Sequence, residues 1–559
     1  MTTGVLWTLQ FFLSEIDLHT TRNLVSENRT GSARLDKLIA ALRDPETYRH
    51  AGHAVGRVEL LQTHISCVLL AGDYAYKIKK PVNLGFLDFS ALDARRRYCD
   101  EELRLNRRTA PGLYLGVVAI GGSESAPLIG GGGPAIEYAL RMRRFEQDDL
   151  LDRMAHRGAL TPAHIDALAR SLAAFHAGID RAGSGDAFGD PAQILIPVLQ
   201  NFEQLLPLLS AKADIALLAR LRDWSAREHA ALAPIFRTRK RDGRVRECHG
   251  DLHLGNIALL DAVPTPFDCI EFNAEFRWTD VMNEIAFLVM DLLDHRLPRL
   301  AFRFLNAYLE QTGDYAGLRV LRFYLVYRAL VRAKVSCLRA HQPGIAAREK
   351  SEVEHEYRRH LHLAEHLAAA AEPAIVIMHG LSGSGKTTIS QGLLETLGAV
   401  RLRSDVERKR LHGLSAQARS GAALNTGLYA PESSERTYAH LAELARAVLD
   451  ARYPLIVDAA FLKREQRALF AGLAREARAG FLIATCTATA HTLRARVLAR
   501  EREARDASEA GLAVLEYQLD NAQPLAPDEL AHAMQFDAAR ESVAPEAAAL
   551  ARRLGLEPA

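Results

Sequence analysis

Ile375-Val376-Ile377-Met378-His379-Gly380-Leu381-Ser382-Gly383-Ser384-Gly385-Lys386-Thr387-Thr388 is the stretch around which the rest of this 559-residue chain is read. An apolar run rich in β-branched residues comes first. Gly-x-x-x-x-Gly-Lys-Thr follows, and then apolar residues at helical spacing, Ile389, Leu393, Leu394 and Leu397. Strand, glycine-rich loop and helix in that order are what a P-loop needs. Gly380, Gly383 and Gly385 let the backbone curl so that successive amide N–H groups point inward. The helix that follows aims its positive N-terminal end at the same spot. Lys386 has the reach for β- and γ-phosphates, and the Thr387 hydroxyl can ligate Mg²⁺. The implied ligand is ATP with Mg²⁺, held by Gly380, Ser382, Gly383, Ser384, Gly385, Lys386, Thr387 and Thr388.

A chain this long exceeds one ordinary core, so two or three domains are expected. Its 48% hydrophobic and 25% charged residues describe a globular protein. Seventy Lys and Arg against 68 Asp and Glu leave a net charge of +2, so no global field argues for nucleic acid or a membrane surface as partner. Six scattered cysteines form neither a Cys-x-x-Cys pair nor a zinc spacing, which suits a reducing cytoplasm. No apolar run approaches the length of a membrane span. The apolar patch Val5 to Leu13 has no preceding Lys or Arg and no small-residue cleavage site, which rejects a signal peptide. Residues 1–33 read as a poorly ordered or mis-started tail.

Leu35 to Leu42 is expected to be a short helix, and Val58 to Lys80 alternates like an antiparallel sheet, with Ala71-Gly72-Asp73 as a hairpin turn. Helices are expected over 95–108, 163–179 and 193–209, with a strand at 135–140 between the first two. A second strand pair is expected from Ile257–Leu260 to Phe267–Phe272, followed by apolar-striped helices over 280–293, 299–309 and 318–339. A charge-rich helix over 351–371 carries the domain boundary, giving domains 34–365 and 366–559. Beyond it, strands at 374–379, 399–403, 454–459 and 481–486 alternate with helices, as in a parallel, doubly wound α/β sheet.

His249-Gly250-Asp251, with Asn256 five residues after the Asp, resembles the catalytic loop of the aminoglycoside phosphotransferase-like branch of the protein kinase fold. The resemblance implies a bilobal α+β domain in which Asp251 accepts a substrate hydroxyl proton and Asn256 holds Mg²⁺. It implies that Lys77, with Lys79 as runner-up, pairs with Glu102, with Glu101 as runner-up. Glu137 to Leu140 would be the hinge against adenine. The second metal ligand would be Glu271 of Ile270-Glu271, where the family has Asp, and Asp268 is the fallback. The turn Thr63-His64-Ile65-Ser66 lacks the glycine of a phosphate loop. Leu70-Ala71-Gly72-Asp73, Tyr76 to Pro81, Phe86-Leu87-Asp88-Phe89 and Leu105-Asn106-Arg107-Arg108 extend the likeness. With them the chain resembles the bacterial bifunctional aminoglycoside phosphotransferase/ATP-binding proteins, a kinase-like domain fused to a C-terminal P-loop domain.

That C-terminal domain, of the kind grouped with AAA family ATPases, resembles small P-loop kinases such as gluconate kinase, chloramphenicol phosphotransferase and the polynucleotide 5′-kinases. After its second strand comes Arg403-Ser404-Asp405-Val406-Glu407-Arg408. Asp405, at a strand end, is placed to take the proton of an acceptor hydroxyl, or it only caps the helix that follows. Arg408, one helical turn on, would hold the acceptor. Asp458 ends an apolar strand and would support Mg²⁺. Arg494, Arg496, Arg500, Arg502 and Arg505 crowd one helix and its exit. Arg496 and Arg500 share a face and would close over phosphates. The expected activity is γ-phosphate transfer to a hydroxyl of a small molecule. A regulatory ATP-binding protein whose kinase-like domain is a ligand sensor is the alternative, and a polynucleotide 5′-hydroxyl kinase is the third reading, against which the neutral charge counts.

Overall fold

The computed structural model of the chain describes residues 29–51, 55–83, 87–131, 133–342, 345–369, 372–416, 418, 431–503, 510–538 and 543–556. Val5 to Leu13, Phe86 and Arg505 lie outside them. Two compact units emerge. The first comprises residues 1–164, 174–295 and 323–366, and the second 165–173, 296–322 and 367–559. The sequence reading gave 165–173 and 296–322 to the N-terminal domain, whereas both cluster with the second unit. It also ended the tail at residue 33, but a helix already runs over Arg29–Leu42.

In the first unit, β1 (Val58–Gln62), β2 (Ser66–Ala71) and β3 (Tyr74–Lys79) form an antiparallel meander. Gly72, at φ 59°, makes the tight β2–β3 turn. β4 (Tyr114–Ser123), β5 (Ala126–Ile129) and β6 (Glu137–Arg143) complete a six-stranded sheet in the order β1-β2-β3-β6-β4-β5. The register pairs Lys77 with Leu140. One face of the sheet packs on Leu35, Leu38, Ile39 and Leu42 from the first helix, through Leu69, Tyr76 and Ile78. Helix Leu92–Asn106 also packs on the sheet and buries Glu102.

The rest of this unit is mainly helical, including a 30-residue helix, Lys212–Arg241. Short β7 (Val245–Glu247) leads into the His249 loop. β8 (Ile257–Leu260) and β9 (Val263–Pro266) follow, joined by Asp261 and Ala262, both at positive φ, as a two-residue hairpin turn requires. The expected second strand, Phe267–Phe272, is therefore not a strand; the hairpin closes earlier. β10 (Trp278–Asp280) pairs with β7.

The second unit is a five-stranded, all-parallel sheet in the order β12-β13-β11-β14-β15. Its strands are β11 (Ala374–His379), β12 (Val400–Arg403), β13 (Leu455–Asp458), β14 (Gly480–Cys486) and β15 (Ala533–Phe536). β11, β13 and β14 are continuous apolar runs, as strands covered on both faces must be. Helix Pro298–Thr312 belongs here for a physical reason. The Asn306 amide donates to the Ala399 carbonyl at 2.9 Å, and Arg401 N donates to Asn306 Oδ1 at 2.6 Å, so the helix satisfies the edge of β12. Among the described residues no helix is long and apolar enough to cross a membrane.

Candidate active site

The P-loop of the second unit turns out of β11 into helix Lys386–Leu397. Glycine is required at two of its positions. A Cβ on Gly380 (φ 149°) would lie 2.3 Å from the Cys486 carbonyl oxygen, and one on Gly385 (φ 90°) 2.3 Å from Ala538 Cβ. Lys386 Nζ folds back and donates to the Gly380 and Leu381 carbonyls, each at 2.8 Å. Burial lowers its pKa from the usual ammonium value, in spite of Asp458 nearby. Ser384 Oγ is buried without a hydrogen-bond partner.

A cavity of about 640 Å³ opens in front of this loop, within the range of roughly 300–1,000 Å³ usual for small-molecule sites. Lys386, Thr387, Asp405, Arg408, Asp458, Arg496 and Arg500 all line it. Ser390 Oγ donates to Asp458 Oδ2 at 3.1 Å, which fixes this carboxylate beside Thr387. Arg408 Nη1 donates to Asp405 Oδ1 at 3.3 Å. Arg403 is the N-cap of helix Ser404–Leu411 and no side chain caps it, so Asp405 is a first-turn residue rather than the cap. Arg496 reaches the Gly383 carbonyl at 3.4 Å and Arg500 the Ala510 carbonyl at 2.5 Å. Arg494 turns away to an exposed pair with Glu516, and Arg502 is exposed.

Sequence reasoning missed Lys463, Tyr438 and Gln518 in this cavity. Gln518 Oε1 accepts from Ser382 N at 2.8 Å. No motif carries these residues; only the folding of three separate helices around the loop brings them in.

In the first unit, Lys77 and Lys79 alternate with Ile78 on β3 and so share a face. Both reach the fully buried Glu102, Lys77 at 2.7 Å on Oε1 and Lys79 at 2.7 Å on Oε2. Their other partners distinguish them. Lys77 also donates to Asp268 at 2.6 Å, and Lys79 to Glu271. Burial works against the charge of Lys77, yet Asp268, then Glu102 and Glu271, hold its pKa well above the usual value. Burial likewise opposes the charge of Glu102, but the two ammonium groups hold its carboxyl below the usual range. Glu101 pairs instead with Arg104 and Arg277.

Two expected site residues, Glu271 and Glu137, are held by basic side chains. Glu271, placed first as metal ligand, is 6% exposed and held on Lys79, and burial raises its pKa. Asp268 is the acid beside Lys77, held at φ 63° with its amide donating to Tyr114 Oη at 3.0 Å. The hinge was expected at Glu137–Leu140. Glu137 is locked to Arg95 at 2.8 Å, and the small cavity beside Lys77, about 80 Å³, is bordered by Arg143 at the end of β6 and by Arg144, Phe145 and Gln147 just past it. Asn256 and Asp268 line the same cavity.

The His249 loop is rigid. Asn256 Nδ2 donates to Asp251 Oδ2 at 2.7 Å and to the Asp251 carbonyl at 3.1 Å, while Asp251 Oδ1 is buried without a hydrogen-bond partner. Burial lowers the His249 pKa, so the neutral ring donates from Nε2 to the Phe267 carbonyl at 2.9 Å. Gly250 N donates to Glu284 Oε2 at 2.7 Å.

Family comparisons agree with this geometry. The model of the Phosphotransferase enzyme family (APH) matches residues 99–324, and that of an AAA domain (AAA_33) matches 375–525. Uncharacterized proteins of Mycobacterium tuberculosis and Mycobacterium bovis are each 30% identical over 451 residues, 81% of this chain and 88% of theirs. The chain belongs to the bifunctional aminoglycoside phosphotransferase/ATP-binding protein family. It is thus a kinase-class phosphotransferase, joining an aminoglycoside phosphotransferase-like fold to a P-loop kinase fold. Families of this kind use ATP, normally with Mg²⁺. Similar solved structures include a sugar kinase from Janibacter sp. (24% identity, 33% of this chain and 96% of that one, TM-score 0.26) and an ethanolamine kinase from Plasmodium vivax (11%, 55% and 81%, TM-score 0.35).

Because Glu102 bridges two buried ammonium groups, Glu102→Gln is expected to destabilise the first unit by roughly 1–3 kcal/mol, read from its melting transition. A Glu101→Gln variant, whose charge sits in the exposed half of its network, should lose less than half of that.

Proposed function

We propose that this chain transfers the γ-phosphate of ATP to a hydroxyl of a small molecule, with a nucleotide site in each unit. The observation that carries the reading is the cavity of about 640 Å³ in the second unit, where a phosphate-binding loop with Lys386 and Thr387 shares its walls with Asp405, Arg408 and Asp458. The residues fit the groups they would hold. Gly380 and Gly385 leave room only for backbone amides, and the unpartnered Ser384 hydroxyl adds a donor. Thr387 and Asp458 would hold Mg²⁺ there, which supplies charge neutralisation on the phosphates.

Asp405 accepts the proton of the acceptor hydroxyl as the acceptor oxygen bonds to the γ-phosphorus. The bond from that phosphorus to ADP breaks, and ADP leaves with the electron pair. Arg408 orients Asp405 and the acceptor, and Arg496 and Arg500 cover the transferring charge. In the first unit Asp251 has the base role, Lys77 on Glu102 the phosphate role, and Asn256 with Asp268 the metal role. Here Asp268 replaces Glu271, whose carboxylate is committed to Lys79. Six buried, unpaired cysteines support reading the compartment as a reducing cytoplasm.

The second reading, a ligand-sensing N-terminal unit, is favoured by one observation: its nucleotide cavity measures only about 80 Å³. The test uses the full chain with a panel of sugars, nucleosides and aminoglycosides and follows ADP release. Asp405→Asn and Asp251→Asn should each remove the share of one unit. Turnover untouched by Asp251→Asn, with ATP still bound twice per chain, assigns the first unit to sensing. No transfer to any acceptor overturns the enzyme reading.

A further inference from the structure

A second cavity of the first unit, about 160 Å³, lies among three segments remote in sequence: helix Pro191–Leu205 with the residues just before it, the stretch 273–283 and the helix carrying Tyr324 and Arg328. We propose that it is the acceptor pocket of this unit and takes a compact, uncharged, polyhydroxylated molecule of monosaccharide size. This rests on the reading of Asp251 as base.

Position comes first. Arg328 lines the cavity and its Nη1 donates to the Gly250 carbonyl at 3.2 Å. Phe276 lines it too, and a Cβ on Gly250 would stand 3.0 Å from the Phe276 carbonyl oxygen. The inner wall is thus built on the residue before Asp251, whose Oδ1 has no hydrogen-bond partner.

Chemistry comes second. Phe188 and Trp278 form a stacked pair, centroids 5.4 Å apart at 9°, and both line the cavity. The weakly positive C–H groups of a sugar ring suit the negative face of such rings. Opposite chemistry is supplied by the amides of Gln193, Gln200 and Gln204 and the Tyr324 hydroxyl. Tyr324 is only 2% exposed, and neither its Oη nor Gln204 Oε1 has a hydrogen-bond partner among the described residues. Buried polar groups left so are uncommon, and a hydroxylated ligand would satisfy both. Pro197, also in the wall, lacks the N–H that would otherwise close on the Gln193 carbonyl one helical turn back.

Charge and size exclude the competitors. The lining holds one carboxylate, Glu275, and one guanidinium, Arg328, so it has no excess of acid for a polycation. Arg328 already lies over Phe287 and Tyr327 at 4.6 and 5.4 Å, so those rings already carry a cation of the protein's own. The volume is below the roughly 300–1,000 Å³ of drug-sized sites, too small for a multi-ring aminoglycoside.

The test is equilibrium binding to the full chain without ATP, by calorimetry and by the tryptophan emission to which Trp278 contributes. The probes are free aldohexoses, aldopentoses and myo-inositol, with choline and kanamycin as cationic probes. At least one neutral polyol should bind, and Tyr324→Phe should weaken it roughly 3- to 10-fold with an unchanged or raised melting temperature, since the hydroxyl lost has no partner in the free protein. Absence of any polyol binding, binding indifferent to Tyr324→Phe, or Tyr324-dependent binding of choline or kanamycin overturns the proposal. A chain that transfers phosphate yet binds no polyol overturns it while the function above stands. Tyr324-dependent polyol binding without any transfer does the reverse.

Discussion

Lys386→Ala should lower the nucleotide affinity of the second unit roughly 10- to 150-fold, the worth of one charge-assisted contact to phosphate, and cut ATP binding from two sites per chain to one at ordinary concentrations. Transfer at that site should fall by a further factor of roughly 10²–10³, because the same ammonium group stabilises charge as the phosphoryl group moves. The melting temperature should shift by no more than a few degrees. In the free protein Lys386 Nζ is held by the Gly380 and Leu381 carbonyls, groups that water can serve equally well at a cavity wall. Calorimetric titration of ATP into both proteins measures affinity and stoichiometry together. Two full-affinity sites in the variant would show that this loop does not hold the nucleotide.

Features confined to one short stretch were legible in the sequence, and features built from several stretches were not. The P-loop carries its strand, its glycines and its helix within about twenty residues, so its geometry could be read before the fold was known. The Asp251–Asn256 pair is equally local, and its 2.7 Å contact needs only the loop itself. Ile270-Glu271 matches the spelling of the family pattern and so drew the metal role, while Asp268 is set apart only by its left-handed backbone and its contact with Lys77, which lies 191 residues earlier. The end of β6 was not legible either: the strand continues three residues past Leu140. β15, four residues long, borrows its identity from the edge of β14 rather than from any pattern of its own. The 30-residue helix Lys212–Arg241 was passed over because charged residues dilute its apolar stripe. The aromatic cavity beside Gly250 could not have been read at all, since its wall joins residues 188, 278 and 324.

Asp405→Asn separates catalysis from architecture in the second unit. The substitution keeps the size of the side chain and its place in the first turn of helix Ser404–Leu411, where it makes no cap bond to lose. Arg408 can still donate to the amide oxygen that replaces Oδ1. Stability should therefore change by less than about 0.5 kcal/mol, as for a substitution away from any core or cap. With the proposed base removed, transfer should fall by roughly 10²–10⁴ while ATP affinity stays within a factor of about two. Arg408→Lys should show a different pattern on the same assays. Its charge remains but its planar fork is lost, so the acceptor KM should rise more than the turnover rate falls. If Asp405→Asn lowers the melting temperature and leaves transfer intact, Asp405 is a structural residue, and the base of this site is to be sought among the other carboxylates that line the cavity, Glu435, Asp458 and Glu465.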